Sequence, residues 1–151
     1  MMKVFADRLF DVVVKHKRDI AANWAKDVRK NPKTPSYHDY TQDQCISYAV
    51  DFYENFTNLY FEPKPYSGQE EYFSKYAERR FQEGTPLNEA LHALIMMRRH
   101  LWLYADMQVV FTSPLDSYQA IEAITKTMRI FDHAIYIISR RYEAFWKGAK
   151  K

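Results

Sequence analysis

Apolar residues recur at steps of three and four along most of this chain, the spacing that gathers side chains on one face of a helix. From Lys3 to Arg29 the stripe is Phe5, Leu9, Val12, Val13, His16, Ile20, Trp24 and Val28. Asn31-Pro32-Lys33-Thr34-Pro35 closes it, because proline has no amide hydrogen to donate and pushes the residue before it out of the helical region. A second helix is predicted to start at Thr41, which forms a capping box with Gln44. It carries Cys45, Ala49, Phe52, Phe56 and Leu59 on one face until Pro63 and Pro65 stop it. A third is predicted from another capping box, Ser67-Gly68-Gln69-Glu70, with Phe73, Tyr76, Ala77 and Phe81 on its face. Gly84 is the expected left-handed residue past its end.

Thr85 and Pro86 set the start of a fourth helix, Thr85 as cap and Pro86 at the first helical position. Its buried face is expected at Leu87, Leu91, Leu94, Leu101 and Ala105. Ile95, Met97, Trp102 and Tyr104 continue the apolar surface around the circumference, which predicts a helix in the middle of the molecule. Ser113-Pro114 opens a fifth helix. There Ile121, Ile124, Met128, Phe131, Ile135, Ile138, Tyr142 and Phe145 alternate steps of three and four in a sustained heptad seam, widened by Ile130, Ala134 and Ile137. No period-two alternation or internal repeat interrupts this order. The expectation is one domain over residues 1–151, an all-α, globin-like bundle of about five major helices.

Composition narrows what such a bundle does. Hydrophobic residues make up 47% and charged residues 27% of the chain, enough apolar material to escape disorder. The net charge is +3, and the paired arginines Arg79–Arg80, Arg98–Arg99 and Arg140–Arg141 lie among acidic neighbours. They are expected on solvated helix faces and in salt bridges, so no nucleic-acid partner is expected. The single cysteine, Cys45, rules out an internal disulfide and begins an apolar stripe, so a buried thiol is expected. The amino terminus reaches charge too soon for a signal peptide, and no apolar run is long enough to span a bilayer. A cytoplasmic protein without a membrane partner is the expectation.

Candidate chemistry is sparse. Three scattered glycines cannot build a phosphate-cradling loop, and neither G-x-S-x-G nor H-E-x-x-H occurs. Glu89-Ala90-Leu91-His92 has the Glu-x-x-His spacing of di-iron bundles, but no second copy accompanies it. Haem is the stronger alternative, because a globin-like pocket needs one inward histidine. His92 and His100 share a side of the fourth helix with Met96 between them, and His16 lies on the apolar face of the first. No enzyme, cofactor or metal is expected. The fifth-helix seam carries more apolar surface than one contact requires, so Met128, Phe131, Ile135, Ile138 and Tyr142 are candidates for an interaction seam, most simply in a two-fold homodimer.

One stretch is more particular. Tyr76-Ala77-Glu78-Arg79-Arg80-Phe81-Gln82-Glu83-Gly84-Thr85-Pro86-Leu87-Asn88-Glu89-Ala90-Leu91-His92-Ala93-Leu94 runs on to Arg98-Arg99-His100-Leu101-Trp102. With Ile20, Trp24 and Val28 of the first helix, it resembles the N-terminal domain of the RsbT co-antagonist proteins. This is the RsbRD-type input domain of stressosome-related bacterial signalling proteins, and the resemblance extends from about Phe5 to Phe145. It implies a globin-like fold without haem, a dimeric sensor or scaffold, no catalytic residues, and an output domain joined through the last helix. No such output domain lies within these 151 residues.

Overall fold

The computed structural model describes residues 5–63, 65–108 and 114–149. They form five α-helices: α1 (Phe5–Val28), α2 (Gln42–Phe61), α3 (Pro65–Gln82), α4 (Leu87–Gln108) and α5 (Pro114–Ala149). A short 3₁₀ turn at Pro35–Tyr37 lies between the first two. The fold is all-α, with no strand among the described residues. No described helix is long and apolar enough to cross a membrane. The predicted Ser113 cap and the chain ends before Phe5 and after Ala149 lie outside the described residues, as do the side chains of Phe5, Ala105 and Asp116.

Local signals account for most boundaries. Thr41 Oγ1 accepts from the Gln44 amide at 3.1 Å while Gln44 Oε1 accepts from the Thr41 amide at 2.8 Å. That reciprocal pair satisfies two amides a helix start leaves open. Gly84 takes φ +81°, and the amides of Gly84 and Thr85 bond back to the carbonyls of Phe81 and Arg80. This is the Schellman closure that only a left-handed residue allows cheaply.

Two predicted caps are displaced. Helix α3 begins at Pro65, so Ser67 lies inside it rather than at its cap, because a proline at the first position is already shaped for a helix. Helix α4 begins at Leu87, and the Pro86 carbonyl accepts its first bond, from Ala90. The Schellman closure has already fixed Thr85 as the residue after α3. Its hydroxyl is buried and caps nothing.

Helix α1 packs on α2, α4 and α5, and α5 touches all four other helices. The helix in the middle is thus not α4 alone. The α4 face turned inward is Ala90, Ala93, Leu94, Met96, Met97 and Leu101, with Leu87 and Leu91 only half-buried. The two alanines leave room for Trp24, whose indole N–H donates to the Ala93 carbonyl at 3.0 Å. The Tyr53 hydroxyl donates to the Met97 carbonyl at 2.8 Å, tying α2 to α4. Rings of Phe52, Phe56 and Phe131 fill the space between α2 and α5, with Phe56 and Phe131 centroids 5.2 Å apart. Helix α1 bends at His16 (φ −114°, ψ 16°), where the imidazole packs on Tyr104 at 5.4 Å.

Candidate functional site: an uncovered apolar face on helix α5

Helix α5 distributes its apolar residues in an unusual way. In its first half the small residues Ala123 and Thr127 face the core together with Ile130, while larger apolar side chains face water. Tyr118 is 62% exposed, Ile121 63%, Met128 48% and Ile124 38%. Thr127 can face inward because its hydroxyl donates to the Ala123 carbonyl one turn back, at 2.8 Å, a local bond that satisfies the buried group. Small inward residues let α5 approach its neighbours closely, and the seam positions that periodicity marks are left on the outside.

The open face continues into a groove of about 480 Å³ between α5 and the start of α3. Tyr66 stands on one wall and Tyr118, Ile121 and Thr125 on the other, with Ile130 at the floor. Buried Gln69 accepts at its Oε1 across this floor from His133 Nδ1 at 2.8 Å, and the His133 ring meets Tyr66 edge-on at 5.6 Å. Glu122, Lys126 and Arg129 edge the groove, Lys126 also lying over the Tyr60 ring at 4.4 Å. An apolar strip with a charged rim of both signs is the usual anatomy of a protein contact surface. By contrast, the larger groove between α2 and α3, about 580 Å³, is walled by Asp51, Asn55, Glu71, Lys75 and Arg79, and its Lys75–Glu71 pair is already closed at 3.1 Å.

The predicted seam residues therefore divide. Met128 is on the open face, Ile135 is half-buried, and Phe131, Ile138 and Tyr142 lie in the chain's own core. The Tyr142 hydroxyl donates to the Thr85 carbonyl at 2.8 Å. Tyr66 and Tyr118, absent from the sequence-derived set, belong to the open face; Tyr118 lies one helical step of three before Ile121, so the spacing to find it was present.

The histidines have separate surroundings. His100 Nε2 lies 2.8 Å from Asp27 Oδ2 and ties α4 to α1. His92 lines a shallow hollow with Lys33, Pro35 and Glu89; burial, then Lys33 and Arg99, hold its pKa below the ordinary value. Glu89 is buried and accepts from the Ser36 amide at 2.7 Å and the Ser36 hydroxyl at 3.1 Å, which turns it toward the 3₁₀ turn. Among the described residues no three His, Cys, Asp or Glu side chains gather as a metal-ligand set. Cys45 is buried, and burial pushes its thiol up to about 11.

The arginine pairs are only partly solvated. Arg140 pairs with Glu70, and Arg98 lies over the Phe131 ring at 5.7 Å. Arg80, expected on the surface, is 2% exposed. It follows Phe73 by seven residues and Ala77 by three, so the helix carries it into the same face as those apolar side chains. No protein-family model, curated protein or solved structure matches the chain.

Proposed function

We propose that this protein is a non-catalytic signalling module of the cytoplasm, acting through protein–protein contact and pairing with a second copy through the first half of α5. The observation that carries the reading is the exposure of Tyr118, Ile121, Ile124 and Met128 on one helix while smaller residues fill the inward positions. The sequence resemblance to RsbRD-type input domains supports the same reading, since that family implies haem-free, globin-like, dimeric sensors.

The magnitudes favour a self-complementary pairing. Covering one large apolar side chain stabilises by about 1.5–3 kcal/mol, so four give roughly 6–12 kcal/mol as an upper figure. Association costs roughly 4–15 kcal/mol. A two-fold contact uses the same patch twice, which brings the gain to the size of that cost. An antiparallel arrangement with its two-fold axis midway between Glu122 and Arg129 would set each of these rim charges across from the other in the second copy. A signal would act by favouring one packing of α5 over another.

Light scattering across a concentration series tests this. The expected result is a dimer that becomes a monomer in the double variant Ile121→Asp, Met128→Asp, with unchanged helical circular dichroism. A wild-type monomer at every concentration overturns the homodimer.

A further inference from the structure

The groove between α5 and the first turn of α3, about 480 Å³, has the volume of a site for a small organic molecule. Its polar groups are few, and two of them gather at one end. Gln69 borders the groove and is itself only 3% exposed. Its Oε1 accepts from His133 Nδ1 at 2.8 Å, which fixes the amide plane and leaves both Nε2 hydrogens as donors. Arg129 stands four residues before His133, one turn back on the same side of α5, and lines the groove as well. Among the described residues no carboxylate lies within ion-pair distance of its guanidinium. Amide donors beside an unpaired guanidinium are the groups that receive a carboxylate.

Most of the remaining lining is apolar. Tyr66 and Tyr118 stand on opposite walls, Ile121 lies beside Tyr118, and Ile130 is at the floor. Roughly 12 Å of helix separates Ile121 from Arg129, room for a body of one or two rings. Flat rings suit tyrosine walls, because offset and edge-on ring pairs add attraction to the burial of area. Charge sets a further limit. Lys126 and Arg129 stand against one anion, Glu122, a surplus of one positive charge. Lys126 holds its ammonium over the Tyr60 ring, which leaves Arg129 as the uncommitted cation. Glu122 lies roughly 10 Å along the helix from Arg129, at the Ile121 end. A second carboxylate on the ligand would meet it there, so the groove favours a monoanion.

We infer that the α3–α5 groove binds a small aromatic monocarboxylate, with its carboxylate on Arg129 and the Gln69 amide and its ring between Tyr66 and Tyr118. The inference rests on the reading of this face as the working surface of a sensor, and it supplies the kind of signal that surface takes. Ile124 and Met128 do not line the groove, so ligand and second copy meet at Tyr118 and Ile121.

Titration of the full chain with cinnamate, read by saturation-transfer NMR and by the side-chain amide signal of Gln69, tests this. The expected result is saturable binding that shifts the Gln69 signal, with the neutral isostere cinnamamide bound roughly tenfold more weakly. Arg129→Gln, at an exposed position, should weaken cinnamate by a similar factor and leave cinnamamide unchanged. Ile121→Asp should abolish both, while Lys75→Gln in the α2–α3 groove changes neither. Absence of saturable binding overturns the site. Equal affinity for acid and amide overturns the carboxylate, and undiminished binding in Ile121→Asp overturns the location. A dimer that does not bind cinnamate removes this inference and keeps the paired face, and a monomer that binds it does the reverse.

Discussion

The two halves of α5 share one heptad rhythm and meet opposite fates. Beyond Ile130 the seam is covered: Phe131 lies between the rings of Phe52 and Phe56, and Ile137, Ile138 and Tyr142 are buried, while Tyr136 and Trp146 on the other sides of the helix stay exposed. Before Ile130, among the described side chains, only Ala123 and Thr127 are buried, and Ile121, Ile124 and Met128 look out. The periodicity of a stripe thus reports that a face is apolar. What covers that face depends on where the other four helices end. An α-helix also turns slightly less than a heptad repeat demands, so a seam extended over several heptads drifts from one side of the helix toward another.

Substitutions at matched positions in the two halves sharpen this contrast. The largest effect belongs to Phe131→Ala, which removes a ring from between two others and should cost about 3–5 kcal/mol, read as a fall in the urea midpoint. Ile135→Asp, half-buried at the junction, should cost about 1–3 kcal/mol through a poorly solvated carboxylate and weaken association as well. Tyr142→Phe leaves the buried Thr85 carbonyl without its donor and should cost about 1–2 kcal/mol by the same assay. Ile121→Asp should change stability by no more than about 0.5 kcal/mol while shifting the mass seen in light scattering. Equal losses from Phe131→Ala and Ile121→Ala would break the distinction between the halves.

The smallest effect lies off α5 altogether and serves as a control. The pKa of His92 is lowered from 6.5, first by burial and then by Lys33 and Arg99. The unfolded chain therefore takes up this proton before the native one does. The stabilising difference is complete above the ordinary value and is lost as pH falls through it. Comparing denaturant midpoints from about pH 7.5 to about pH 5, the wild type should lose slightly more than His92→Gln.

Much of the architecture was legible in the residues. The Thr41–Gln44 box and the Gly84 terminus appear where local chemistry demands them, because each depends on partners within five positions. Cys45 and Trp24 are buried as their stripes imply. What the chain alone did not disclose depends on distant partners. Tyr37 is buried by a 3₁₀ turn between two prolines and helix α2, a segment with no period to follow. Thr85 carries the signature of a helix cap, yet the preceding turn claims its backbone first. Arg80 belongs to the α3 apolar face by spacing, and its charge masked that membership. The open face of α5 differs from its covered face only in what packs against it.

At about 1.5 Å per residue, the 36 residues of α5 make a rod roughly 54 Å long. One end is gripped by aromatic rings and by the Tyr142 anchor, and the other projects its oily side outward. Roughly 36 Å of stiff backbone separates Tyr118 from Tyr142. The open face and the Tyr142 anchor thus share one unbroken helix.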